Sequence, residues 1–445
     1  MAAPTKSGGA EHSVAVIPLD ERVNKVSLSM AWWAVCSAMF YIIVGGALAL
    51  DFGTFNAIVG MLLSVVVYSV ITCVMTKHAI MTGHSVTSFS VELFGSKGSV
   101  LAAMILGATA IYYAVFEGSV IAFALSHFFS SISYSVAALL VVIYSVPLVL
   151  GKIQVWLDKL NGFLLPIYLI GLAAAVFISV YEYGYKTDWM TFGPENPSPY
   201  GWWNCFVYYM GVWVLMLFAY EYAKFGKPSD TRFHSKFNFG YPFYFVTIVV
   251  NGACGIYLVS SVPSIEKISE TSVVLAILNL LGIWGLLFVW ATQTRINTAN
   301  YFVATTNLRN IGQIFGLRLS WAVWAAVVGC FVYLLMLADV FKYLMEALAY
   351  QGIIVVAWVG VALCKIIEAS EAKFSAPPTP TKSINIGGIG AWTVASLIGV
   401  ALMSSPGLLA TFSAPATAVV AYAAMRWASK VKVKPEVPAD AGESV

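Results

Sequence analysis

Trp290–Phe302 reads WATQTRINTANYF, and it interrupts an apolar run with an arginine, three threonines, two asparagines and a glutamine. What those side chains mean depends on the solvent around them, and composition settles that first. Of 445 residues, 60% are hydrophobic and 10% charged, with a mean hydropathy of +0.83. Soluble domains carry about 25% charged residues. The chain therefore reads as an all-α polytopic membrane protein.

Windows of about 20 apolar residues mark twelve spans, at 26–50, 55–76, 99–127, 133–152, 160–182, 202–223, 237–261, 283–307, 319–338, 342–363, 386–405 and 408–425. They divide the chain into a tail at 1–25, a ten-helix core at 26–363, a linker at 364–385, two peripheral helices at 386–425 and a second tail at 426–445. All but four of the 24 Lys and Arg then fall on the side of the two termini; Lys186, Lys267 and Lys342 lie opposite, and Arg295 lies within the membrane. Such an asymmetry predicts cytoplasmic termini and a cytoplasmic-membrane location. No apolar segment with a small-residue cleavage site precedes span 1, so no removable signal is expected.

An ionisable side chain at the bilayer centre costs about 3 kcal/mol or more and is a functional candidate by default. Span 3 carries AIYYAVFEG (Ala110–Gly118), with Tyr112 and Tyr113 near the midplane and Glu117 about 6 Å further out at a rise of about 1.5 Å per residue. Arg295 of span 8 lies at similar depth. Two arrangements satisfy these groups: Arg295 pairs with Glu117 or with backbone carbonyls as a structural lock, or both line a polar cavity. Along span 8, Gln293, Asn297 and Asn300 share one helix face, and Thr294, Thr298 and Tyr301 share the next. The hydroxyls either serve a ligand or bond their own helix.

Small residues sit at the centres of spans 1 and 6: Ser37 and Ala38 with Gly45 and Gly46 beyond, and Gly211 followed by Trp213. Small residues at matched depth, five spans apart, predict a pair of interrupted helices whose freed backbone groups line a cavity. No residue-level identity relates 26–182 to 202–363. The six cysteines include no C-x-x-C pair, the five histidines are scattered, and no phosphate-binding loop, dinucleotide fingerprint or catalytic triad motif occurs. That pattern points away from an enzyme, a metal site or a nucleic-acid binder, and no protein partner or cofactor is implied.

Several stretches carry a resemblance: KHAIMTGHSVTSFSVELFGSKGS (Lys77–Ser99), the residues around Tyr113, EYAKFGK (Glu221–Lys227) and NYFVATTNL (Asn300–Leu308). They resemble the purine/cytosine permease group of nucleobase:cation symporters, in order and over roughly 26–425. The resemblance implies a leucine-transporter-type fold of two inverted five-helix repeats plus two peripheral helices. It also implies a flat heterocycle held between aromatic rings of spans 3 and 6, which fall on Tyr113 and at or beside Trp213. The family's amide one turn before the ring falls on Ala110, a departure. The resemblance further implies a sodium site between span 1, near Ala38, and span 8 hydroxyls, here Thr294 and Thr298. Arg295 beside them is a second departure, since a guanidinium about 4 Å from a sodium ion repels it by about 4 kcal/mol at an effective dielectric of about 20.

The expectation is a cation-coupled importer of a small flat nitrogen-containing solute such as a nucleobase or hydantoin, working by alternating access with Na+ or H+ as coupling ion. Its substrate site is expected to draw on Tyr113, Trp213, Gly211, Tyr112, Glu117, Arg295, Asn297 and Ser37, with Ala38, Thr294, Thr298 and Glu117 serving the ion. A same-fold carrier of a cationic amine or amino acid is the alternative, because Glu117 lies among aromatic rings.

Overall fold

The computed structural model describes residues 16–150, 152–262, 271–338, 341–371 and 383–431, with side chains left aside at 152–164, 371 and 431. Most of the tail at 1–25, the middle of the linker at 364–385 and the end of the tail at 426–445 lie outside the described residues.

Span 1 begins at Lys25, where the Asn24 side chain accepts from Ser27 N at 2.9 Å and so caps the helix. Helix runs to Trp33, tightens to a 3₁₀ turn over Ala34–Ser37, and stops at Ala38, whose ψ of 127° is extended. It resumes over Met39–Phe52 with a 41° bend. Span 2 (Thr54–Thr82) follows at once and ends on left-handed Gly83. A loop helix, Val86–Phe94, then leads to span 3 (Val100–Phe128), span 4 (Tyr134–Leu148) and span 5 (Lys152–Tyr183).

The second half repeats this order. Span 6 runs from Gly201 to Ala223 with a 3₁₀ turn at Gly211–Trp213, and span 7 from Pro228 to Ser261 with two π-helical stretches. A second loop helix, Ser272–Leu281, precedes span 8 (Ile283–Ile314), span 9 (Trp321–Met336) and span 10 (Leu344–Glu371). Spans 11 (Ile386–Met403) and 12 (Ser413–Val431) pack on each other and on span 10.

Packing shows the repeat that residue identity hides. Span 1 packs on span 7 as span 6 packs on span 2, and span 5 covers the interruption of span 1 as span 10 covers the 3₁₀ turn of span 6. Spans 3 and 8 form the most extensive pair, flanked symmetrically by spans 4 and 9. With five spans in each half, the halves are inverted with respect to the membrane normal.

Among the described residues, eight helices are long and apolar enough to cross a membrane, or nine with the bent pair of span 1 counted as one. Spans 4 and 9 are shorter apolar helices, and span 8 loses hydropathy to its polar middle. With these three the twelve expected spans are accounted for. Below, the side on which span 1 begins is called inner. There, Arg22 donates to the carbonyls of Ile80 and Gly226, tying the inner ends of spans 2 and 6 together.

One expectation needs correcting. Gly211 does not open span 6: its φ of −58° and ψ of −29° stay helical. Its small size serves packing instead, because a Cβ there would meet the backbone of Leu348 in span 10. Replacing Gly211 by Ala should therefore cost about 1–3 kcal/mol, seen as a lower melting temperature of the purified protein. Gly390→Ala, where a Cβ meets nothing within 4 Å, should leave it unchanged; equal melting temperatures for both variants would remove the packing argument.

Candidate functional site

Where spans 1, 3, 6 and 8 meet at mid-depth they leave a cavity of about 90 Å³. Span 3 contributes Tyr113 and Glu117, one turn apart on one face; span 1 contributes Ala38, Phe40 and Tyr41 from its interruption; span 8 contributes Ile296, Ala299 and Asn300; span 6 contributes Val212, Phe218 and Tyr222. Toward the outer side the route is filled by rings in edge contact, Tyr113–Phe40 at 5.1 Å, Phe40–Phe116 at 5.2 Å and Phe116–Phe341 at 5.4 Å. Toward the inner side the lining residues Val35, Phe218, Tyr222 and Val303 are half-buried, and Ala299 is exposed.

The interruption of span 1 frees backbone groups that a continuous helix would use, and side chains from two other spans take them up. Arg295 Nη2 donates to the Ala34 carbonyl and to Ser37 Oγ, the latter at 2.6 Å. Asn251 Nδ2 of span 7 donates to the Cys36 carbonyl at 2.7 Å and is itself held by Tyr168, whose hydroxyl donates to Asn251 Oδ1 at 3.1 Å. Met39 N donates to Gln293 Oε1 at 3.2 Å. Of the two partners foreseen for Arg295, the structure uses the carbonyl side of span 1, and Glu117 forms no ion pair with it. Glu117 is 1% exposed, and its Oε2 has no hydrogen-bond partner. Asn300 Nδ2 and both polar atoms of Asn297 are likewise buried and unpartnered.

The other expected residues divide. Tyr113 lines the cavity, its hydroxyl receiving a bond from Gln351 Nε2 of span 10 at 3.3 Å, while the same nitrogen donates to the Gly211 carbonyl at 2.9 Å. Tyr112 lies beside Tyr113, the two rings tilted at 55° with centroids 5.4 Å apart, but does not line the cavity. Trp213 does not line it either: the 3₁₀ turn swings its indole onto span 2, edge-on to Tyr68 at 6.2 Å. Phe218 and Tyr222 of span 6, about one and a half and two and a half turns further along, line it instead. Thr294 faces span 4, bonded to Tyr144 at 2.8 Å, and Thr298 bonds the Thr294 carbonyl of its own helix at 2.8 Å. Neither of these bonds reaches the interruption of span 1. Ala110 lies in the apolar cluster between spans 3, 4, 8 and 9, so the departure there leaves the cavity untouched.

Gln351, Asn251, Phe218 and Tyr222 were not foreseen. Gln351 and Asn251 gave a usable signal, each being a polar residue inside an otherwise apolar span. Phe218 and Tyr222 gave none that separates them from packing rings.

No protein-family model matches this chain, and no curated protein matches it. Solved structures do. An inward-facing conformation of Mhp1 aligns at a TM-score of 0.76 with 16% identity over 94% of each chain. Mhp1 in a closed conformation with bromovinylhydantoin bound, described as a nucleobase-cation-symport-1 family transporter, aligns at 0.71 with 17% identity over 94% of this chain and 96% of that one. The chain has the leucine-transporter-type fold. A substrate-bound outward-open Na+-coupled sialic acid symporter aligns at 0.62 with 12% identity, over 94% of this chain and 92% of that one. A manganese transporter of Eremococcus coleocola follows at 0.52 with 12% identity, over 94% and 97%.

The cavity makes a labelling prediction. In a background with exposed Cys330 replaced by Ser, Ala299→Cys should react with a water-soluble maleimide, read as a mass shift, and Ala110→Cys, fully buried, should not. Equal protection of both would mean that the cavity is closed to water.

Proposed function

We propose that this chain is a secondary transporter that carries a small, flat, nitrogen-bearing solute, such as a nucleobase or hydantoin, across the cytoplasmic membrane by alternating access. We further propose that protons or solute exchange, rather than sodium, drive it. The observation that carries the coupling claim is the Arg295 guanidinium donating to Ala34 O and Ser37 Oγ. A bound cation between span 8 and the interruption of span 1 would hold the two together by the same attraction, and arginine supplies that charge permanently. A sodium ion beside it would be repelled in a low dielectric, and the two span 8 hydroxyls already have bonds elsewhere, Thr294 with Tyr144 of span 4 and Thr298 with its own helix.

The solute rests in the cavity against Tyr113, with Tyr222 or Phe218 as the facing ring and Glu117 and Asn300 offering hydrogen bonds to its N–H and C=O edges. Apolar walls with a few convergent polar groups are what ligand cavities share. The rings filling the outer route and the half-buried residues toward the inner side support reading this conformation as the inward-facing one. Glu117 is the group proposed to take up and release the proton, because it is the one carboxyl in the cavity lining. Its unpartnered Oε2 among Tyr113, Phe40 and Tyr41 also favours a second reading, a carrier of a cationic amine or amino acid that Glu117 would balance in charge.

The solute is found by a thermal-shift screen of nucleobases, hydantoins, amino acids and amines, since a ligand at about a hundredfold excess over its Kd stabilises by about 2.7 kcal/mol. Uptake of that solute into proteoliposomes should then follow an imposed proton gradient or internal solute, and be unchanged when sodium replaces choline. Uptake that rises steeply with sodium would contradict the coupling claim. Glu117→Gln should abolish proton-driven uptake while a neutral heterocycle still binds within about tenfold of wild type; loss of binding instead would favour the cationic solute.

A further inference from the structure

A second cavity, of about 480 Å³, lies far from the first, at the inner ends of spans 10, 11 and 12. Its walls carry three basic side chains, Lys365 of span 10 and Arg426 and Lys430 of span 12, against two acids, Glu92 and Glu368. Both acids already have cationic or ionisable partners: Glu92 meets His84 Nδ1 at 3.1 Å, and Glu368 meets Arg426 Nη1 at 3.4 Å. Among the described residues, Lys365 and Lys430 form no ion pair, so the surplus charge of this cavity is positive. The first turn of span 11 opens on the same space, through Asn385 and Gly387. The Asn385 side chain does not cap that helix but donates to Leu93 O at 2.7 Å, so the amides of the turn add to the positive field.

A surplus positive charge suits an anionic ligand, and the surroundings say where one would come from. Ile386 and Trp427, which flank the cavity, are 80% and 69% exposed. They continue the apolar outer faces of spans 11 and 12, where Leu397 and Val419 are also exposed. Large apolar side chains exposed in this way are met by lipid, and tryptophan favours the headgroup level. The cavity therefore sits at headgroup depth, at the inner surface, beside acyl chains. Basic pockets between helices on that side of a membrane suit phosphate headgroups.

We propose that this cavity binds the phosphate of an anionic lipid headgroup, held by Lys365 and Lys430, and that the bound lipid fastens the peripheral pair of helices to span 10. Span 10 also reaches the first cavity through Gln351, so a lipid at this place bears on the helix that covers span 6. The proposal rests on the membrane-spanning fold and is independent of which solute is carried.

The test is the melting temperature of the detergent-purified protein titrated with phosphatidylglycerol, phosphatidylcholine or inorganic phosphate. Phosphatidylglycerol should raise it saturably and phosphatidylcholine should not. In the double variant Lys365→Gln/Lys430→Gln the half-maximal lipid concentration should rise at least tenfold. Lys342→Gln, which removes one cation from the opposite side, should leave it unchanged. Protection by inorganic phosphate at the same concentration would assign the site to free phosphate and overturn the lipid. Equal protection by both lipids, or an unaltered titration in the double variant, would overturn the site.

Discussion

The interruption of span 1 is the constraint on which the rest of the structure depends. A helix stopped at mid-membrane exposes carbonyl and amide groups that lipid cannot satisfy, and leaving one buried without a partner costs about 1–3 kcal/mol. Here Arg295, Asn251 and Gln293 meet them, from spans 8, 7 and 8 again. The arrangement joins the two repeats at one point. It also fixes a positive charge beside the cavity, because the guanidinium that satisfies the Ala34 carbonyl is desolvated and can leave only with that bond broken.

From this follow the sidedness and the chemistry of the cavity. Span 1 supplies Ala38, Phe40 and Tyr41 because its direction changes there. Span 6, its counterpart, keeps helical dihedrals and tightens only to a 3₁₀ turn, covered by span 10 at Gly211. The inverted symmetry of packing is thus not a symmetry of function: one half opens its backbone to side chains, and the other presents rings. Glu117 and Asn300 remain with unpartnered polar atoms at the cavity, which is where an account of recognition has to look, since the remaining lining is largely apolar.

Hydropathy and charge placement were enough to read the spans, and a rise of about 1.5 Å per residue set the expected depths of Tyr113, Glu117 and Arg295; the repeat of five came only with the family resemblance and is shown by packing. Facing was harder. A residue step turns a helix by about 100°, and the 3₁₀ turn at Gly211–Trp213 adds a rotation that no pattern announces, so Trp213 landed on Tyr68 and the rings at the cavity proved to be Phe218 and Tyr222. Thr294 was misplaced by the same uncertainty, one residue from Arg295 and yet facing span 4. Asn251 shows the opposite lesson. An amide inside an apolar span is a signal the sequence carries but that was not used, and its partner, Cys36 O, exists only once span 1 is known to break there.

The claim that a fixed guanidinium takes the place of a coupling cation is tested most directly by the melting temperature of the purified protein in sodium chloride against choline chloride at equal ionic strength. The account predicts no sodium-specific change in the wild type. In Arg295→Ser, where the charge is gone and a hydroxyl is gained, sodium should raise the melting temperature saturably. A saturable, sodium-specific rise in the wild type itself would show that the ion and the arginine coexist, and would contradict the claim.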